Sequence, residues 1–491
     1  MHRSHVDGVP VFRFFEPGPL HAALRFGVGA RDETYRTLGI SRLVAALSAH
    51  AARHRLPERA EPVVSTGLEE TRFALSGSPE DVSNWLEALC MALSDLPADR
   101  AAEVAHTLDV DGARSLDPRA AGALNARYGS QASGLEGHQR GRHHLPTADM
   151  LLAHTAAWFT QANAVLTLRG PNPAGLRLPL HPGGRPRRSA PRARHPRASW
   201  THRNIDGVVL SVETPIGSAA AEVAHRILTE RVTSALGDHP VPAVPAEAAT
   251  ALHDSITVVR LLLASATTND AERVAATMWS EALRLAGNEP DPAEVARHRC
   301  PQDSASAQLR TLDDAARTEL FATPSLDEGS RRSALACVTP RAVRDSWQQS
   351  MERAQLVVPE GLLLHLTGPD GRRLWCASCW TWDEIPPWGQ VFREPLAKRA
   401  LTRAAKRQWL VLTAESVVAC QPGAHHELRF DDVIALERWG PERNLIGRCG
   451  CNVGIAPAWY RGGQRLTLAV DEAVPVELAF DGPELAPPQL P

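Results

Sequence analysis

Residues 39–54 read GISRLVAALSAHAARH, and the fold turns on how this stretch is read. Ile40, Leu43, Val44 and Leu47 fall at i, i+3, i+4 and i+7, which lines one face of an amphipathic helix. At about 100° per residue, Arg42, Ala45 and Ala46 project together on the opposite face. One face is built to pack on a sheet. The other offers a fixed cation and two methyl groups.

Upstream, residues 9–15 and 21–27 read as strands around a Glu16-Pro17-Gly18-Pro19 turn. Downstream come a strand at 70–75 and a helix at 79–93, with Val82, Trp85, Leu86, Leu89 and Leu93 on one face. Helices follow at 99–114 and 146–158, then a strand at 163–169. This order predicts an α+β fold, an antiparallel sheet with helices on one face.

The pattern breaks at residues 181–199, HPGGRPRRSAPRARHPRAS, with six arginines and no acidic residue. The composition fits a solvated linker, with an anion- or partner-binding segment as the alternative. The pattern then restarts with a strand at 207–213 and a helix at 217–235 that buries Ala221, His225, Ile227, Leu228 and Val232. A strand at 256–266, helices at 269–285 and 291–298, and strands at 356–358 and 362–367 complete it. Two halves of similar size and element order suggest an internal duplication. An aromatic and proline-rich connector, WCASCWTWDEIPPW at 375–388, leads to short strands at 408–413, 416–419, 426–430, 432–438, 452–456, 465–470 and 475–480. That texture indicates a small all-β domain. The expected divisions are 1–180, 181–199, 200–372, 373–403 and 404–491.

The 491 residues exceed one ordinary core, and 43% hydrophobic with 22% charged residues is a globular composition. A net charge of −3 gives no global attraction to nucleic acid. The start, MHRSHVDGVPVFRFF, lacks the apolar core of a signal peptide, and no apolar run reaches the roughly 18 residues of a membrane helix. Eight scattered cysteines favour reduced thiols and a cytoplasmic setting.

Gly29-Ala30-Arg31-Asp32-Glu33 followed by the helix at Gly39 resembles the insulinase-like M16 metallopeptidases. In that family a Gly-small-basic-x-Glu strand end precedes a helix carrying H-x-x-E-H, two zinc ligands and a general base. The resemblance places Arg42 at the first His, Ala45 at the Glu and Ala46 at the second His. Alanine has no donor atom, and arginine is a permanent cation that repels a metal. The third ligand, a Glu on a later helix, falls at Asp111. One carboxylate does not hold a catalytic zinc, so Asp111 reads as a partner of Arg42 or as a solvated acid. The family's substrate-binding Arg and Tyr in the second half fall at Gly237 and Val244, which would remove the oxyanion device as well.

The resemblance spans residues 5–370 and implies two homologous α+β domains around a peptide-sized cavity. It further implies pairing with a zinc-bearing M16-like chain, or a homodimer, around a peptide substrate, with no cofactor, nucleic acid or membrane. The C-terminal strands look like a pleckstrin-homology-like or GRAM-like barrel. The alternatives are a peptide-binding scaffold unrelated to proteolysis and an active hydrolase with an unrecognised site.

Other constellations read more plainly. His50 and His54 are at i, i+4 but lie roughly 12 Å along the axis from the lost pair, with no Glu between them, and fit a helix end. Cys376 and Cys379 with Cys449 and Cys451 could supply four thiolates to a structural zinc, although a C-x-C pair is a residue short of the usual turn. Buried thiols are the alternative. His143-His144 and His425-His426 read as surface loops, and Glu69-Glu70 and Asp431-Asp432 as solvated faces. Trp375, Trp380, Trp382 and Trp388 fit either a partner surface or a clamp on the C-terminal domain. No phosphate-binding loop, nucleophile elbow or dinucleotide turn occurs at a strand-to-helix junction.

Overall fold

A computed structural model describes residues 1–57, 60–110, 116–137, 145–188, 193–237, 247–252, 257–267, 269–299, 307–323, 328–381, 388–395 and 408–482. Alternating apolar residues build the first sheet from β1 (His2–Val6), β2 (Val9–Phe14), β3 (Leu20–Phe26), β4 (Val63–Thr66), β5 (Thr71–Gly77) and β6 (Ala164–Arg169). Its order is β1-β2-β6-β3-β5-β4, antiparallel except for β2 beside β6. The second sheet uses β7 (Ser199–Arg203), β8 (Val208–Pro215), β9 (Glu247–Leu252), β10 (Thr257–Ala264), β11 (Gln355–Pro359) and β12 (Trp375–Cys376), ordered β12-β7-β11-β8-β10-β9. From β7 through β9 it repeats the order and strand sense of the first sheet from β2 through β4, including a parallel β7–β11 pair. Shared topology exposes a duplication that residue identities conceal.

Helices α1 (Ile40–Ala52), α2 (Pro79–Ser94), α3 (Ala101–Val110), α4 (Pro118–Tyr128) and α5 (Ala148–Trp158) belong to the first half of the chain. The second half carries α6 (Ala219–Gly237), α7 (Ala271–Gly287), α8 (Pro292–His298), α9 (Ala307–Phe321), α10 (Glu328–Ala336) and α11 (Pro340–Met351). Caps explain several starts. Ser78 accepts from the Asp81 N–H with Pro79 at the first helical position, and Thr147 accepts from the Met150 N–H.

One face of each sheet packs its own helices. Leu24, Phe26, Phe73 and Leu166 meet Ile40, Val44, Leu47, Trp85 and Leu89. Leu210, Val212 and Leu356 meet Ile227, Met278, Trp279 and Trp347. The opposite faces are covered crosswise. From the first half, α4 lays Ala120, Ala123 and Leu124 on Val209, Val259 and Leu261 of the second sheet. From the second half, α9 lays Leu312, Ala316 and Leu320 on Phe12 and Val165 of the first. Every residue of α4 from Ala120 to Tyr128 is buried, so it lacks the polar stripe by which sequence periodicity reveals a helix.

The segment at 181–199 is more than a solvated linker. Arg188 pairs with Asp32 at 2.5 Å and stacks over Phe321, and Arg194 donates to the Cys379 sulfur. The strand expected at 362–367 is replaced by a single bridge, Thr367 to Arg373, and Leu363 is exposed. The sheet edge there is taken by β12 on β7.

The C-terminal region is β-rich. Two four-stranded sheets, β13 (Gln390–Phe392), β14 (Trp409–Leu412), β15 (Ser416–Gln421), β16 (Ala424–Arg429) and β17 (Val433–Trp439), β18 (Glu442–Gly447), β19 (Asn452–Ile455), β20 (Ala479–Asp481), enclose Leu410, Val417, Leu436 and Leu445. The stretch 465–470, expected as a strand, lies in a helix, α12 (Gly463–Ala473). Leu466 and Val470 are buried one turn apart while Leu468 is 61% exposed, so the apparent alternation of 466, 468 and 470 is accidental. Tyr35 donates to Glu437 at 3.0 Å and ties this region to the first half. Gly129, with φ of 71°, ends α4 so close to the Arg448 carbonyl that a Cβ would sit 2.1 Å from it.

Candidate functional site

The entrance to α1 is built by the residues before it. Gly39 holds φ of 84°, a left-handed conformation that glycine adopts without strain. The Glu33 carboxyl group then accepts from the Gly39 N–H at 2.6 Å and the Ser41 N–H at 3.0 Å, capping the first turn of the helix. Burial outweighs those two donors and pushes the Glu33 carboxyl up to about 8. Arg31 is buried against Glu69 at 2.5 Å, and Arg25 pairs with Glu70. The Glu69-Glu70 pair is therefore no solvated face. Arg25 on β3 and Arg31 in the turn that follows it are both buried, and each holds one of the two carboxylates.

On α1 itself, Ala45 is fully buried in the core with Val44 and Leu47, while Arg42 and Ala46 are half-buried. The three do not share one open face, because α2, α3, α5 and the sheet surround the helix. Arg42 donates to the Leu108 carbonyl at 3.2 Å, so its guanidinium helps satisfy the last turn of α3. Ser41 meets His154 of α5 at 3.0 Å, and burial pushes the His154 imidazole down to about 4. Asp111 and Val244 lie outside the described residues, and Gly237 is the exposed last residue of α6.

The zinc that an H-x-x-E-H helix implies does not fit here. Positions 42, 45 and 46 present a guanidinium and two methyls, and no three-donor group occurs at α1 among the described residues. No catalytic step can be routed through a metal at this helix. His50 is exposed near the end of α1, and His54 lies beyond it with Nδ1 against the Ala51 carbonyl at 2.7 Å.

The remaining candidates separate cleanly. Sγ atoms of Cys379, Cys449 and Cys451 come together, and Cys376 stays apart on β12. His425 and His426 lie on β16 rather than in a loop, with His426 buried and His425 against Thr381. His143 and His144 lie outside the described residues, as does Trp382. Trp388 is 68% exposed, whereas Trp375 carries Arg197 over its ring. Asp431 and Asp432 are exposed beside Arg429 and Arg448. Sequence reasoning missed His154 and the capping role of Glu33. The signal for Glu33 was a carboxylate shortly upstream of a helix that lacks a side-chain cap at Gly39.

No family model matches the chain, and no curated protein matches it. Solved structures do. A protease from Helicobacter pylori aligns with a TM-score of 0.59 at 13% identity, over 73% of this chain and 99% of that one. A peptidase M16 inactive domain from Pseudomonas fluorescens aligns with a TM-score of 0.58 at 13% identity, over 74% and 98%. A chain of complex III2 from Candida albicans, Inz-5 bound, aligns with a TM-score of 0.56 at 14% identity, over 74% and 97%. At these identities the likeness is one of fold, and the fold of this chain is M16-like.

Proposed function

We propose that this chain is a catalytically inactive M16-like subunit that pairs with a zinc-bearing M16-type chain and helps to bind or enclose a peptide during proteolytic processing. One observation carries the reading. The helix where such a fold would carry its two imidazoles and carboxylate holds Arg42, Ala45 and Ala46, with Ala45 sealed in the core and Arg42 engaged with α3. Paired with an intact subunit, a chain of this kind contributes surface instead of chemistry. Its sheet edges can hold an extended peptide by strand addition.

The test is co-expression with an M16-type chain bearing H-x-x-E-H, taken from a neighbouring gene of the same genome. A one-to-one complex is expected by size-exclusion chromatography. Peptide hydrolysis should need both chains and disappear when the partner's histidines are replaced. Zinc-dependent hydrolysis by the isolated chain would overturn the reading. So would a homodimer that binds peptide and ignores the partner, which is the outcome a non-peptidase scaffold gives.

A further inference from the structure

Cys379 follows β12, whereas Cys449 and Cys451 occupy the turn between β18 and β19. Their three sulfurs lie within 4.8 Å of one another although seventy residues of sequence separate the first from the second. The turn is shaped for this. Gly450 holds φ of 87°, its N–H donates to the Gly447 carbonyl at 3.0 Å, and the Gly447 N–H donates to the Cys451 carbonyl at 2.8 Å. A C-x-C pair, which looks too short for chelation, thereby points both sulfurs toward Cys379.

The surroundings call for negative charge. Arg194 donates to the Cys379 Sγ at 3.0 Å, and Arg203 bonds Asn125 at 3.2 Å while its Nη2 is buried without a partner. Neither guanidinium pairs with a carboxylate among the described residues. Three neutral thiols would leave two largely buried cations uncompensated, which is costly. Three free thiolates would repel one another as strongly. Three thiolates around a divalent cation carry a net single negative charge, which suits the two arginines. Two imidazoles complete the neighbourhood. His426 meets the Cys379 carbonyl through Nδ1 at 3.0 Å, and both His426 and His195 carry a buried Nε2 with no partner.

From this geometry we infer that Cys379, Cys449 and Cys451 are thiolate ligands of a structural zinc ion that fastens the C-terminal region to the rest of the chain. Zinc–sulfur bonds of about 2.3 Å in a tetrahedron set the sulfurs about 3.8 Å apart, so closure on the ion needs movements of an ångström or less. Cys376 has no part in it. The site is remote in sequence from α1 and stands or falls independently of the proposed pairing.

Metal analysis of the full chain, purified reduced and without chelator, should give about one zinc per chain. Cys379→Ser and Cys451→Ser should each lower that at least about tenfold, and Cys376→Ser should leave it unchanged. Cobalt exchange into the unaltered protein should add thiolate-to-cobalt charge-transfer absorption, a readout that does not require a variant to fold. Zinc that persists in both serine variants would overturn the assignment. So would a metal-free protein after growth in zinc, a disulfide within the trio, or cobalt uptake without the charge-transfer bands.

Discussion

The Glu33 carboxyl is caught between two opposing forces, and replacing it with glutamine separates them. Its two backbone donors at α1 favour the ionised form, and complete burial disfavours it. Burial prevails, which raises the folded value from 4.5 to about 8. The sign follows from linkage. Below pH 4.5 both folded and unfolded chains hold the proton, and the contribution to stability is complete. As pH rises toward 8 the unfolded chain releases the proton while the folded chain keeps it, so stability is lost. At ~1.4 kcal/mol per unit the full loss is about 5 kcal/mol, with about 4 of it between pH 5 and 8.5. Glu33→Gln removes the titration. The amide accepts with only one atom, so the variant also loses about 1 kcal/mol of capping at every pH. The measurement is urea denaturation of both proteins at several pH values, because their difference cancels every other titrating group. The parent should be the more stable at pH 5 and should lose that advantage by pH 8.5. A difference independent of pH would refute the reasoning by showing that donors and burial balance, and one that grows in favour of the parent as pH rises would show that the helix donors outweigh burial.

Glu69→Gln breaks the buried ion pair with Arg31 and should cost about 3 kcal/mol, seen as a lower urea midpoint; Arg31→Met with Glu69→Leu should recover part of it. Tyr35→Phe removes the donor to Glu437 and should cost about 1 kcal/mol, read as faster amide exchange in 433–447 with little change in β2 and β3.

Much of the fold was legible because its cores are periodic. Val82, Trp85, Leu86, Leu89 and Leu93 announce α2, and GVVLSVE announces β8. What stayed hidden lacks a contrast between faces. The short edge strands β1 and β4 carry few apolar residues, and α4 is buried all round, its Asn125 and Arg127 included, so no solvent-facing polar stripe marks it. The run at 465–470 offered a false alternation that only packing resolves. At the candidate site, the identities at 42, 45 and 46 were readable, but the burial of Ala45 depends on α2, α3 and α5 closing around it. The arginines of 181–199 looked solvated because their partners, Asp32 and Cys379, are distant in sequence and near only in the fold.

The crosswise helices set a timetable for synthesis. The last strand of the first sheet ends at residue 169, but α9, which covers the outer face at Phe12 and Val165, begins only at 307. Roughly 140 residues emerge in between, about 10 to 30 s at ordinary translation rates. Throughout that interval the nascent first sheet shows an apolar face to its surroundings, and α4 waits beside it for a sheet not yet made. Ribosome-associated chaperones therefore have a defined window and a defined surface on this chain, and a pause upstream of α9 would lengthen its exposure to misassembly.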